Sequence, residues 1–187
     1  MATIGGEAVH DDPDSELAAA LLALNAVFVV EHPQETRESP ALRFLRGPAS
    51  DLAGGGILRS VLIPGAPHGA ALERAAVFPS ALPLVAVAAT ATFSGDKLAR
   101  VRLAVTGLAT PPARFIEAEA QLERTAGEED VLDPLSRFGA AALGGAAARA
   151  TRAAIVNAVS QATGARLHDL PLSPARVLDA LTSRARQ

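Results

Sequence analysis

The stretch VAVAATATFSGDKLARVRLAVT, Val85 to Thr106, decides the fold class. Leu84 to Phe93 alternates, so that Val85, Val87, Ala89, Ala91 and Phe93 share one face of an extended chain. Leu98 to Thr106 alternates too, with Val101, Leu103 and Val105 inward and Arg100 and Arg102 outward. Ser94-Gly95-Asp96-Lys97 between them is a turn, and the pair reads as a β-hairpin. The chain that follows is helical. Thr110-Pro111-Pro112 predicts a helix start that runs to Thr125, with Gly127 as its stop. From Asp133-Pro134 onward helix dominates, broken at Gly144-Gly145. One helix is expected over Ala146 to Ala162, ended by Thr163-Gly164, and a last one from Ser173-Pro174.

Upstream of the hairpin the pattern changes. Asp12-Pro13 reads as a helix start, since Asp caps orphan N–H groups and Pro fits the first helical position. Leu17, Leu21, Leu22 and Leu24 give that helix an apolar face ending near Asn25. Ala26 to Val30 predicts a short buried strand, His32 to Pro40 a polar loop, and Leu42 to Leu45 a helical turn ended by Gly47-Pro48. Gly54-Gly55-Gly56 leads into a strand from Ile57 to Pro64. Pro64-Gly65-Ala66-Pro67 is a break.

Composition narrows the classes. The 187 residues include 42 Ala and no Cys, and their net charge is −3. Without Cys there is no disulfide framework, thiolate zinc site, iron–sulfur cluster or Cys nucleophile. The small charge, with Phe as the sole aromatic type, argues against a nucleic-acid partner. The longest apolar run, Leu82 to Ala91, is too short for a membrane span, and residues 1–16 are acidic where a secretory signal begins basic. The expectation is a cytoplasmic protein. Its Ala, Arg, Pro and Gly usage points to a GC-rich bacterial genome. An Ala-rich core is shallow, which favours stabilisation by a partner.

Few residues offer chemistry. His10, His32, His68 and His168 lack ligand spacing, and no G-x-S-x-G elbow is present, so neither a metal site nor a catalytic residue is expected. Asp11, Asp12, Asp14 and Glu16 suit a helix start and do not follow a calcium-loop pattern. Thr3-Ile4-Gly5-Gly6 is more informative. Read as a tight turn, it lets the backbone approach a ligand and aims N–H groups at an anion such as a pyrophosphate, with the Thr3 hydroxyl helping.

Three segments in order carry a family resemblance. They are Ala2-Thr3-Ile4-Gly5-Gly6 with Asp12-Pro13 and Ser15-Glu16-Leu17, then Leu58 to Pro64, then the hairpin with Gly107-Leu108-Ala109-Thr110-Pro111-Pro112-Ala113-Arg114 and Glu117-Ala118-Glu119. Over residues 2–125 the chain resembles the FAD-binding (medium) subunit of molybdenum hydroxylases, the carbon monoxide dehydrogenase and xanthine dehydrogenase family. The resemblance implies FAD-linked electron transfer from iron–sulfur clusters to an acceptor. It assigns Ala2, Thr3, Gly5 and Gly6 to the FAD pyrophosphate and Glu7 to a position often Asn or Asp. Ser15 and Glu16 match a Ser-Asp pair near the flavin, and Ile57 and Leu58 match apolar residues packed on its ring.

It also implies an architecture. The fold class is α+β: a partial FAD-binding subdomain with a small mixed sheet plus helix, an antiparallel sheet packed on helices, and a helical tail. Residues 1–66 are then the remnant of the FAD-binding subdomain, 67–130 the flavoprotein C-terminal-like domain, and 131–187 the tail. Within that tail Asn157-Ala158-Val159 and Leu170 to Leu178 resemble the end of the molybdopterin-binding large subunit. The family's second glycine-rich loop, A-G-G-[TH]-S, precedes the T-I-G-G turn and has no counterpart in these residues, so an N-terminally truncated subunit is expected. The expected partners are the molybdopterin-binding large subunit and the iron–sulfur small subunit, or a second copy. The alternative is a non-catalytic assembly module that has lost FAD binding.

Overall fold

The computed structural model describes residues 3–76, 83, 85–94, 97–107, 111–124, 157–158, 160–162, 164, 179–180 and 183. In chain order the elements are α1 (Ile4–Val9), α2 (Glu16–Ala23), β1 (Val27–Glu31), β2 (Thr36–Pro40), α3 (Ala41–Phe44), α4 (Pro48–Leu52), β3 (Ile57–Leu62), β4 (Gly69–Ala75), β5 (Val85–Ser94), β6 (Lys97–Thr106), β7 (Ala113–Arg114) and α5 (Ile116–Arg124). The α+β class holds. Two sheets form, one ordered β2-β1-β3 and the other β4-β5-β6-β7.

The hairpin β5–β6 pairs as its alternation requires, with Val87 opposite Val105, Ala89 opposite Leu103 and Ala91 opposite Val101. A register shift falls between Thr92 and Phe93. The turn residues Gly95 and Asp96 lie outside the described residues. The first sheet is antiparallel throughout, which corrects the expectation of a mixed sheet. For β1 and β2 the cause is local: His32 N–H donates to the Glu35 carbonyl at 2.8 Å, closing a short connection that can only join antiparallel strands. The expected loop over His32 to Pro40 is therefore half strand. β2 pairs with β1 as an edge whose residues are exposed except Ser39.

Three further strands and boundaries differ from expectation. β4 pairs along β5 from Gly69 opposite Ala91 to Ala75 opposite Val85. Ala113 and Arg114 pair with Val105 and Ala104, so the helix expected from Thr110 begins only at Ile116. Helix α2 begins at Glu16, because Ser15 rather than Asp12 is its cap: Ser15 Oγ accepts the Ala18 N–H at 3.2 Å. The tail lies mostly outside the described residues. Those described at 157–158 and 160–162 are helical, and Gly164 at φ 67° follows them. This segment meets β4 so closely that a Cβ on Gly69 would overlap the Ala162 carbonyl.

Both faces of the hairpin are covered. Val85, Val87, Ala89, Ala91, Val101, Leu103 and Val105 are buried on one face. On the other, Ala86, Ala88 and Ala104 are buried as well, because α2 packs across β5 and β6. Small side chains there let the helix lie close, as Ala18, Ala19 and Ala23 do from the helix side. The first sheet joins the same core through Phe28, which stacks on Phe44 with ring centroids 4.1 Å apart. Helix α2 thus ties the two sheets together. Two polar links fix it: Thr90 Oγ1 donates to the Ala23 carbonyl at 3.0 Å, and Gly107 N–H donates to the Pro13 carbonyl at 2.9 Å.

Candidate functional site

Residues 3–6 are not a free turn. Thr3 caps α1, its Oγ1 accepting the Gly6 N–H at 3.0 Å, and its carbonyl accepts the Glu7 N–H at 2.9 Å. The reason is chemical: Thr is a strong N-cap, and its β-region backbone at φ −124° suits the cap. The consequence for ligand binding is specific. Gly6 and Glu7 have used their N–H groups, while those of Ile4 and Gly5 have no partner within the helix. A Cβ at Gly5 would meet nothing within 4 Å, so the backbone there is bare. Thr3 keeps its own O–H to donate, because a hydroxyl that accepts still has one proton.

The chain then returns past α1. Asp11 adopts φ 57°, and Asp14 N–H donates to Asp12 Oδ1 at 2.9 Å, a turn that carries Ser15 back to the first helix. Ser15 Oγ donates to Glu7 Oε1 at 3.0 Å, which joins the two helix starts side by side. The result is a cleft of about 620 Å³ lined by Thr3, Ile4, Glu7, Asp12, Asp14, Ser15, Glu16, Leu17 and Pro83.

Of the residues expected at the site, Thr3, Glu7, Ser15 and Glu16 share this cleft. Gly5 and Gly6 sit beside it in the first turn of α1. Ala2 lies outside the described residues. Ile57 and Leu58 are not among the lining. Ile57, at the start of β3, is 71% exposed, and Leu58 packs against the core. Glu16 also turns outward from α2 to Arg74 on β4, with Nε–Oε1 3.6 Å apart. Asp12, Asp14, Leu17 and Pro83 belong to the lining, and sequence reasoning did not place them there. The acidic pair suits the helix dipole on sequence grounds alone, and Pro83 comes from a part of the chain distant in sequence.

The chemistry of this arrangement is positioning. It offers bare backbone, two unused N–H groups, two hydroxyls and an apolar patch at Ile4, which is 60% exposed. Its side-chain charge is wholly acidic: Glu7, Asp12, Asp14 and Glu16. Among the described residues no cluster of three or more His, Asp or Glu has metal-holding geometry. Among the described residues no helix is long and apolar enough to cross a membrane.

The site thus rests on a capped glycine helix, a second capped helix beside it and an antiparallel sheet. The family described as "FAD binding domain in molybdopterin dehydrogenase" matches residues 1–66. The carbon monoxide dehydrogenase medium chain of Afipia carboxidovorans is 29% identical over 136 residues, 71% of this chain and 47% of that one. The glyceraldehyde dehydrogenase medium chain of Sulfolobus acidocaldarius is 28% identical over 125 residues, 64% of this chain and 43% of that one. In fold the chain is similar to the reconstituted CO dehydrogenase from Oligotropha carboxidovorans, with a TM-score of 0.70 and 27% identity over 87% of this chain and 61% of the other. The chain is thus similar to medium subunits of molybdenum hydroxylases, and it spans about half the length of the curated relatives it matches.

Proposed function

We propose that this chain is a flavoprotein-subunit-like component of a bacterial, cytoplasmic molybdenum hydroxylase. It holds FAD in the cleft between α1 and α2 and serves electron transfer from iron–sulfur clusters to an acceptor. Residues 1–66 act as its FAD-binding subdomain, 67–130 as the domain behind the flavin, and 131–187 as a helical tail. Its partners are the molybdopterin-binding large subunit and the iron–sulfur small subunit. The observation that carries this reading is the bare, N–H-bearing start of α1 at Ile4 and Gly5, set in a cleft whose lining, Pro83 apart, falls in the region matched by the FAD-binding family.

The residues present fit the group in shape. The cleft lies within the range of ordinary ligand pockets, roughly 300–1,000 Å³. Thr3, Ile4, Gly5 and Gly6 would hold the pyrophosphate through backbone N–H groups and the Thr3 hydroxyl, and Ser15 would hold Glu7 aside. FAD supplies the capacity to take up electrons in pairs and release them singly or in pairs. The protein's part is to fix the phosphates with groups already locked by caps. Thr3 cannot rotate away without freeing the Gly6 N–H, and Ser15 cannot without freeing the Ala18 N–H. The carboxylates of Glu7, Asp12, Asp14 and Glu16 oppose a pyrophosphate, so affinity depends strongly on salt.

The test is a titration of FAD into the full chain, alone and with its large and small subunits, read by flavin fluorescence and visible absorbance. Micromolar binding that Gly5→Val abolishes supports the site. A colourless protein that takes up no FAD, even beside both subunits, overturns it and leaves the assembly role.

A further inference from the structure

We propose that a second cleft, at the C-terminal end of α2, binds a small oxyanion, a phosphate or carboxylate group, between Arg100 and Arg102. This cleft is separate from the one at Thr3. It is formed by the exit of α2 at Ala23 to Asn25, the connector Pro64 to Pro67, and Thr90, Thr92, Arg100 and Arg102 of the hairpin. An eight-residue helix, about 12 Å long, lies between the two clefts.

Three observations point to an anion. First, Arg102 Nε is fully buried and has no hydrogen-bond partner. A buried guanidinium N–H without an acceptor is costly, and an oxyanion satisfies it through the paired N–H geometry that arginine offers. Second, no carboxylate of the described residues lines the cleft. The acidic groups nearest in the field are engaged elsewhere: Glu119 accepts from Leu103 N–H at 2.8 Å and from Arg114, and Glu123 accepts from Val101 N–H at 2.9 Å. Third, Arg102 is destabilised as a cation. Burial lowers its pKa, and the neighbouring Arg114 and Arg100 lower it further, against an opposing pull from Glu119 and Glu123 that does not restore it.

The C-terminus of α2 does not explain the two arginines. A helix end carries about half a negative charge, against two full positive ones here. The Ala23 carbonyl is moreover already taken by Thr90 Oγ1. The cleft measures about 220 Å³, below the usual size for a whole cofactor, so its ligand is a single phosphate- or carboxylate-sized group. Thr92, half-buried in the same lining, adds a hydroxyl donor.

The test uses the full chain, with inorganic phosphate and succinate as the two probes and chloride at matched ionic strength as the reference. Binding is read by calorimetry and by the shift in Tm. Saturable binding of either probe is expected, and the preferred probe tells phosphate from carboxylate. Arg102→Gln should weaken it by about tenfold or more. Ala66→Glu, which adds a carboxylate at an exposed lining position, should abolish it without touching the core. Arg59→Gln, an exposed arginine on β3, should leave it unchanged. Equal responses to phosphate, succinate and chloride overturn the site. So does unchanged binding in Ala66→Glu, which decides the matter even where Arg102→Gln fails to fold, and so does equal weakening in Arg59→Gln.

Discussion

The Gly107 N–H donates to the Pro13 carbonyl at 2.9 Å, and this bond joins the end of β6 to the chain entering α2. Gly107 sits at φ 90°, a conformation that a Cβ disfavours. The bond therefore depends on glycine. It also holds the loop that carries Asp14 and Ser15, and through Ser15 it reaches Glu7 and the cleft.

Gly107→Ala should cost about 2 kcal/mol, or roughly 6 °C in Tm, from backbone strain and a weakened bond. Gly65→Ala is the matched control, since Gly65 is exposed, has no positive φ and leaves open space for a Cβ. Thermal unfolding of both variants checks the point. Equal Tm values would place no strain at Gly107.

Helix α2 rests on Ala88 and Ala104, each buried against it. Ala104→Leu inserts three carbons where the helix lies on the sheet, and overpacking of this kind costs about 2 kcal/mol. Ala99→Leu, at an exposed position of β6, should cost almost nothing. Urea unfolding of the two variants separates a helix-to-sheet contact from a general dislike of Leu in this strand. The Ala-rich composition thus has a use: it sets the distance between α2 and the hairpin.

Glu119 is 4% exposed and serves two donors, the Leu103 N–H and the Arg114 guanidinium. Glu119→Gln leaves Arg114 half-buried and uncompensated, and should lower the unfolding free energy by about 3 kcal/mol. The double variant Glu119→Leu with Arg114→Met should recover much of that loss, because the stranded charge is gone. A double-mutant cycle in urea measures both.

The hairpin was legible because its alternation and its turn are local. β2, TRESP, shows no alternation: as a polar edge strand it buries only Ser39, and its partner β1 gives it its form. β4 and the two-residue β7 likewise exist through pairing with β5 and β6, which no short window of sequence contains. The same limit governs the sites. Thr3, Glu7, Ser15 and Glu16 were named through an ordered resemblance, and folding brings them together. Ile57 and Leu58 were named with them, yet β3 carries both elsewhere. Arg100, expected to point outward, is exposed, whereas Arg102 is half-buried, because α2 and the Pro64 connector, which nothing near it in sequence announces, flank its side of the hairpin.

Glu7 offers the sharpest check on where the phosphates of FAD lie. Its carboxylate accepts from Ser15 Oγ at 3.0 Å, and a glutamine in its place keeps an oxygen to accept that bond. Glu7→Gln therefore removes charge while leaving the joint between α1 and α2 intact. At separations near 8 Å and an effective dielectric near 20, a unit charge opposes a phosphate by about 2 kcal/mol, which ions in solution cut to about 1 kcal/mol. FAD affinity should rise about thirtyfold at low salt, and the gain should shrink as salt is raised. Ser15→Ala serves as the contrast: it loses a helix cap as well as the Glu7 bond, so Tm falls while no charge leaves the cleft. If wild type binds FAD and Glu7→Gln binds it no more tightly at low salt, the phosphates are not at the start of α1. An increase confined to low salt puts them beside Glu7, over the bare backbone of Gly5.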